Sequence, residues 1–356
     1  MIYKKKKILF IFTGGTINSG FSQKSKFVKP DKKTFYRLHN FINNSFHESS
    51  IELIFREPLG VPGEDSSNIH PGHWLTISKM IAEEIKKGIS GVIVLYGTDT
   101  MAYFSSWLHL CFPNINIPVI ITGSQLTLDY NTEDVTVNLS GALQVVNSGY
   151  NGVWIYCNWK LIPGNRAHKS RASHPDMFIS NNDRVVDFEP GLPWKKQKGI
   201  PEFLERYNLP KQVSNIFSYS TEKIKNIYKK VEWLICFPGI TPKLSPNKKV
   251  LCIIGFGAGN APISVLNCIS NYYLHKEKPC IIACSQAEKD IKKPDHYENV
   301  GIAELVKKGF RVWSQLDYPV EFIHALTVYA LLCFPDHPDN ILSSYLQEIF
   351  SLRLDL

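Results

Sequence analysis

Residues 74–100 read WLTISKMIAEEIKKGISGVIVLYGTDT. In the first half Trp74, Ile77, Ile81 and Ile85 recur at helical spacing and Gly88 ends the run, so Trp74–Lys87 reads as an amphipathic helix. Gly91–Tyr96 is then apolar without alternation, the pattern of a short strand buried on both faces. A helix leading into such a strand, followed by a glycine turn and a helix-like stretch over Met101–Leu110, is the repeating unit of a parallel sheet. The strand signal recurs at Ile8–Phe12, Val119–Thr122, Val153–Tyr156, Trp233–Phe237, Val250–Phe256 and Cys280–Cys284. Helical patterns at Val135–Val146 and Ile302–Lys308 complete the alternation. With right-handed crossovers, the expectation is a doubly wound α/β fold.

At roughly 150 residues per domain, 356 residues predict about two domains. The alternation fails between Asn182 and Lys230, where Pro190, Pro193, Pro201 and Pro210 stand among Lys195, Lys196 and Lys198. We therefore read residues 1–181 as an amino-terminal α/β domain, 182–230 as an extended basic linker or insertion, and 231–356 as a carboxyl-terminal α/β domain. A connection of that length is unusual in a compact domain, so part of it is expected to be ordered or functional.

Hydrophobic residues make up 44% and charged residues 20%, which supports a real core and excludes a disordered or collagen-like chain. The net charge of +8 permits contact with nucleic acid or an anionic surface but argues for neither. The eight cysteines show no CxxC pair and no metal-ligand spacing, and most lie in apolar runs where a thiol acts as a small hydrophobe. They read as reduced and buried, which suits a cytoplasmic protein. Lys4–Lys7 followed by Ile8–Phe12 imitates a signal peptide, but the apolar run is too short and Thr-Gly-Gly ends it without a cleavage site. No other apolar run reaches the ~18–20 residues of a membrane span.

Ligands of open α/β sheets bind beyond the carboxyl ends of the strands. The first strand ends in Thr13-Gly14-Gly15-Thr16-Ile17, where paired glycines allow a sharp turn and close approach to a ligand. It is equally the form of a plain βα turn, and no GxGxxG or GxxxxGK[ST] completes a nucleotide loop. The second strand ends in Tyr96-Gly97-Thr98-Asp99-Thr100, which by itself reads first as a helix N-cap. The third segment is Gly164-Asn165-Arg166-Ala167-His168-Lys169, whose lysine alone would be solvated surface. Together they say more, because a threonine hydroxyl needs a neighbouring base to become a nucleophile, and a second Thr, an Asp and a Lys could supply it.

These segments, with Asp65-Ser66-Ser67, Pro118–Gln125 (PVIITGSQ) and Gly257–Pro262 (GAGNAP), resemble the bacterial-type L-asparaginases, especially the cytoplasmic type I branch. The match keeps the family's order through roughly the first 180 residues and weakens beyond residue 230. The resemblance implies that Thr16 is the nucleophile and that Thr98, Asp99 and Lys169 form a second cluster. In that cluster Lys169 relays a proton through Thr98 and Asp99 gathers the substrate's α-amino group. It implies that Ser66 holds the α-carboxylate with Ser67 beside it. The main chain at Gly15, Gly97 and Ser124 would surround the scissile amide, where well-placed donors stabilise an oxyanion by several kcal/mol. Asn260 would contribute at a subunit contact. The implied fold is a larger amino-terminal and a smaller carboxyl-terminal α/β domain with mostly parallel sheets, in a homodimer or homotetramer. The implied substrate is a small amino acid amide, without metal or organic cofactor.

The sequence also departs from that family. Aligned on Pro30, Phe27 stands where the mobile loop normally carries a tyrosine, and no tyrosine lies between Thr16 and Tyr36. Either the phenol is gone, with a general acid–base contribution of about 10²–10⁴-fold at stake, or the alignment is shifted by a few residues, or Tyr36 folds back to replace it. Tyr96 replaces the family's histidine before Gly-Thr-Asp. Ser285–Asp290 and Lys292–Tyr297 have lost the glycines of the type I effector segment and gained charge. Three readings follow: an L-asparagine amidohydrolase, an asparaginase-fold enzyme for another amide, and a non-catalytic amino-acid-binding homologue. Intact Thr16, Thr98, Asp99 and Lys169 argue against the last.

Overall fold

The apolar run after the amino-terminal lysines forms β1 (Lys6–Phe12), and its last five side chains are buried. In this computed structural model, which describes residues 5–21, 28–46, 48–129, 132–148, 150–181, 186–187, 216–288 and 301–349, β1 lies within a seven-stranded sheet. After the hairpin of β2 (Ser19–Phe21) and β3 (Val28–Pro30), α1 (Lys32–Ser45) begins where the Asp31 carboxylate accepts the Thr34 backbone N–H at 2.9 Å. That N-cap bond satisfies a donor the helix itself cannot. The chain continues to β4 (Ile51–Arg56), parallel to β1 on one side. Helix α2 (Pro71–Lys86) then carries it to β5 (Gly91–Leu95), parallel to β1 on the other.

From there α3 (Met101–Cys111), β6 (Pro118–Thr122), α4 (Thr132–Asn147) and β7 (Gly152–Cys157) extend the parallel order outward. β8 (Lys160–Pro163) folds back antiparallel to β7 through Asn158 and Trp159, both at positive φ. β9 (Ala167–Lys169) and β10 (Phe178–Ser180) form a separate antiparallel ribbon, and β11 (Val186–Asp187) pairs with β8 at the sheet edge. Phe35, Leu38 and Ile42 of α1 and Val135 and Leu139 of α4 pack on Ile8, Phe10, Phe12, Ile93 and Leu95. The alternate residues Leu9, Ile11, Val92 and Val94 are buried as well, as strands covered on both faces require. Because β1 leads off toward β4 while β5 leads off toward β6, the connections diverge between these neighbours, and a crevice opens at their carboxyl ends.

This unit spans Met1–Gln212; the second, smaller unit spans Val213–Leu356. The second holds α5 (Thr221–Tyr228), β12 (Val231–Ile235), β13 (Val250–Gly255), α6 (Ile263–Tyr272) and β14 (Cys280–Ser285). α7 (Ala303–Lys307), β15 (Val312–Ser314), α8 (Val320–Cys333), α9 (Asp339–Tyr345) and β16 (Gln347–Glu348) follow. Its sheet runs β12-β13-β14-β15-β16, parallel except for the last pair. The chain is thus mixed α/β with mostly parallel sheets in two units.

The strands expected from apolar runs form where expected. α1, β4 and α8 were not foreseen. β4 (IELIFR) carries charge among its apolar residues, and α8 is apolar all round, so neither shows a clean period. Within the expected linker, residues 186–187 pair with β8, residues 221–228 form α5, and most of the remainder lies outside the described residues. All eight cysteines are unpaired. Among the described residues no helix is long and apolar enough to cross a membrane.

Candidate active site

At the diverging connections the turns after β1 and β5 and the loop after β4 meet backbone to backbone. The Gly15 N–H donates to Glu64 O at 3.0 Å and the Glu64 N–H to Thr13 O at 2.8 Å. The turn after β5 presses on both. A side chain at Gly15 would bring its Cβ within 2.3 Å of Gly97 Cα, and one at Gly97 within 2.5 Å of Ser66 Cβ. Gly15 also has φ 78, a region other residues rarely adopt. The glycines of the first two motifs are therefore what allow Thr16, Ser66 and Thr98 to share one crevice.

The two threonines beside Gly14-Gly15 differ in employment. The Thr13 hydroxyl donates to Leu95 O at 2.9 Å and extends the β1–β5 ladder. Thr16 begins a single 3-10 turn, Thr16–Asn18, and is half-buried. Its hydroxyl makes no hydrogen bond among the described residues, which leaves it available to a ligand.

Lys169 arrives from β9, held in register by its pairing with Phe178. Its ammonium donates to Thr98 Oγ1 at 2.8 Å and to Asp99 Oδ1 at 2.6 Å. Thr98 is buried and the lysine side chain is 14% exposed, whereas Asp99 is 62% exposed and keeps a face toward solvent. With its oxygen accepting from Lys169, the Thr98 hydroxyl can hand its own proton onward. Neither Thr98 nor Asp99 caps α3: the N-cap position is Thr100, and that residue makes no side-chain cap bond either. The N-cap interpretation of this segment is corrected accordingly.

Ser66 is buried behind Gly97, and Asp65 shapes its turn by accepting the Ser67 N–H at 2.8 Å. Ser67 faces solvent. Ser124 is buried with its hydroxyl on Leu126 O at 2.6 Å, so its side chain shapes its own turn. That turn touches the second motif through Gly123, where a Cβ would lie 2.3 Å from Tyr96 O. Asp134 of α4 anchors it by accepting the Gln125 and Leu126 N–H groups, a support for the site that the sequence reading missed. Tyr96 is buried, stacked on Phe104 at 4.6 Å, and its phenol oxygen accepts from Trp74 Nε1 at 3.0 Å. Burial pushes that phenol well above its ordinary range. Phe27 lies outside the described residues. Asn260 belongs to the second unit, in the tight turn Phe256–Asn260, and its side-chain oxygen is buried without a hydrogen-bond partner among the described residues. No group of three or more His, Cys, Asp or Glu among the described residues could hold a metal ion.

The family described as "Asparaginase, N-terminal" matches residues 7–191, which contain every element of this crevice. L-asparaginase 1 of Escherichia coli is 31% identical over 268 residues, covering 73% of each chain. The chain belongs to the asparaginase family. It is an asparaginase-like amidohydrolase. The crystal structure of L-asparaginase I from Vibrio cholerae is 25% identical, with a TM-score of 0.71 over 99% of this chain and 100% of that one. The family also reaches other roles: a glutamyl-tRNA(Gln) amidotransferase subunit of Methanococcus vannielii is 24% identical over 304 residues, 79% of this chain and 65% of that one. Within this asparaginase homologue, the paired carboxylate, lysine and threonine therefore stand in a scaffold devoted to amide chemistry.

Proposed function

We propose that the protein hydrolyses the side-chain amide of L-asparagine to L-aspartate and ammonia, with Thr16 as nucleophile. The observation that supports this most is the Lys169 ammonium bonded to both Thr98 and Asp99, in a turn packed against the one that carries the unengaged Thr16 hydroxyl. Thr16 Oγ1 bonds to the amide carbon, the C–N bond breaks, and the hydroxyl proton leaves on ammonia. Water then cleaves the ester, which yields the new carboxylate and restores the hydroxyl. Lys169 and Thr98 carry protons for these steps, and the main chain at Gly15, Gly97 and Ser124 receives the developing oxyanion.

The free side of Asp99 takes the α-amino group and Ser66 the α-carboxylate, with Ser67 at the rim. We assign the protein to the cytoplasm as a homo-oligomer, to whose subunit contact Asn260 contributes.

The test is ammonia release from L-asparagine, L-glutamine and D-asparagine, with Thr16→Ala as the blank. Release from L-asparagine that vanishes in Thr16→Ala, with the melting temperature unchanged, is the expected result. Turnover undiminished in that variant would remove Thr16 from its role. A second reading, action on a different amide, is favoured by the similarity to an amidotransferase component and by the basic stretch around Lys195–Lys198. Background rates on all three amino acids would select it.

A further inference from the structure

Thr100 occupies the N-cap position of α3, with φ −119 and ψ 14. At that position a threonine ordinarily turns its side-chain oxygen to the first free N–H groups of its own helix. Here no such bond is made. The hydroxyl is instead donated out of the helix to the carbonyl oxygen of Ser66, at 2.8 Å and 34 residues away in sequence. Thr100 Oγ1 also lies 3.4 Å from the Tyr96 phenol oxygen, to which Trp74 Nε1 of α2 already donates. Ser66 is thus gripped at its carbonyl by Thr100 and backed at its side chain by Gly97, where even a methyl group would lie 2.6 Å from Ser66 Oγ.

We propose that Thr100 is a positioning residue that sets the separation between the two ends of the amino-acid head group. This rests on the function proposed above, in which Ser66 takes the α-carboxylate and Asp99 the α-amine. Asp99 is the residue immediately before Thr100, so the hydroxyl ties one grip directly to the other. Its geometry does not reach the scissile amide, which is governed by Thr16, Thr98 and Lys169. Loss of the tie loosens recognition of the α-carboxylate and leaves the chemical step intact.

The test compares wild type, Thr100→Ser and Thr100→Val on L-asparagine, on β-alaninamide, which is asparagine without its α-carboxylate, and on succinamic acid, which is asparagine without its α-amine. Binding of the product L-aspartate is measured by calorimetry and folding by melting temperature. Thr100→Val is expected to raise KM for L-asparagine about tenfold with kcat within about twofold, and to weaken L-aspartate binding in proportion. Its preference for L-asparagine over β-alaninamide falls by a similar factor, while the preference over succinamic acid changes less. Thr100→Ser, which keeps the hydroxyl, restores wild-type values. An unchanged KM in Thr100→Val, an equal loss on all three amides, or failure of Thr100→Ser to rescue would overturn the proposal. If Thr100→Val does not fold, Thr100→Ala is read the same way. A wild type that neither hydrolyses L-asparagine nor binds L-aspartate would overturn the function itself and the positioning role with it. A wild type that binds L-aspartate without turnover would overturn the reaction alone, and the tie is then judged on affinity.

Discussion

Both units end parallel strands in turns rich in hydroxyl and amide groups, yet they use them in opposite ways. In the second unit the Ser285 hydroxyl donates to Gly257 O and accepts the Ala287 N–H, while the Ser285 N–H reaches Gln315 Oε1 at 2.8 Å. The Gln286 side chain donates to Cys236 O at 2.5 Å, and Gln315 donates to Tyr318 O at 2.5 Å. These polar groups tie turn to turn. In the first unit the tying is done by backbone and glycine together with the side chains of Thr13, Thr100 and Asp134, and the Thr16 hydroxyl and one side of Asp99 are left over. The contrast separates architecture from chemistry: strand ends supply polar groups in both sheets, and the candidate site lies where backbone contact and neighbouring side chains leave particular groups free of structural work.

The sharpest way to break that contrast is to remove matched side chains from the two regions. Thr16→Ala is expected to abolish amide hydrolysis, and Lys169→Met to lower kcat by roughly 10²–10⁴-fold with a much smaller change in KM, as loss of an interaction used in the transition state requires. Ser285→Ala should leave kcat within about twofold and lower the melting temperature instead, since it strands the Ala287 N–H and frees Gly257 O. Steady-state ammonia release and thermal melts on the three variants decide it. A Lys169→Met effect confined to KM would make Lys169 a binding residue, and a kcat collapse in Ser285→Ala would erase the distinction between the regions.

The legible part of the molecule follows the same division. Ile8–Phe12 and Gly91–Tyr96 announced themselves as strands because burial on both faces leaves only apolar residues. Thr13–Thr16, Tyr96–Asp99 and Gly164–Lys169 were recognisable as segments, and the fold brings Lys169 onto Thr98 and Asp99 across some seventy residues of chain. What could not be read was long-range support. Nothing local marks Glu64 as the partner of Thr13 and Gly15, Asp134 as the anchor of the Ser124 turn, or Thr100 as a donor to Ser66. Each depends on which loops the strand order places side by side. α1 shows the opposite limit: Asp31 and the spacing of Phe35, Leu38 and Ile42 were visible signals, obscured by the polar residues between them.

The glycine contacts give the next expected effect. Gly97→Ala forces a methyl group to within 2.5 Å of Ser66 Cβ and 3.1 Å of Gly15 Cα, neither of which can retreat without moving its turn. Overpacking of this kind costs about 1–3 kcal/mol, and because the displaced neighbour is Ser66 the KM for L-asparagine should rise together with the loss of stability. Chemical denaturation and steady-state kinetics on one preparation test both. Gly88→Ala is the control of opposite character, since nothing lies within 4 Å of a Cβ there although φ is +81. It should affect stability alone, through backbone strain, and unaltered KM in both variants would mean that the turns are free to separate without disturbing the site.

The last predicted effect concerns acid and belongs to the second unit. His324 of α8 stacks on Trp233 at 5.9 Å and meets the Tyr228 hydroxyl of α5 at 2.5 Å, and desolvation of the ring pushes its pKa from 6.5 down to about 4. The folded unit therefore binds the neutral imidazole, while the unfolded chain takes up a proton as soon as the pH drops below about 6.5. Stability contributed by this residue is complete above that value, falls as the pH moves from 6.5 toward 4, and stops falling once the folded form also protonates. The slope is at most about 1.4 kcal/mol per pH unit. Carboxylates titrate in part of the same range, so the informative quantity is the difference between wild type and His324→Phe in denaturant unfolding at pH 7, 6, 5 and 4. That difference should drift in favour of the variant as acid is added, because phenylalanine has no proton to take up. Parallel curves would show that protonated His324 is accommodated without loss, its Nε2–H donating to the Tyr228 oxygen.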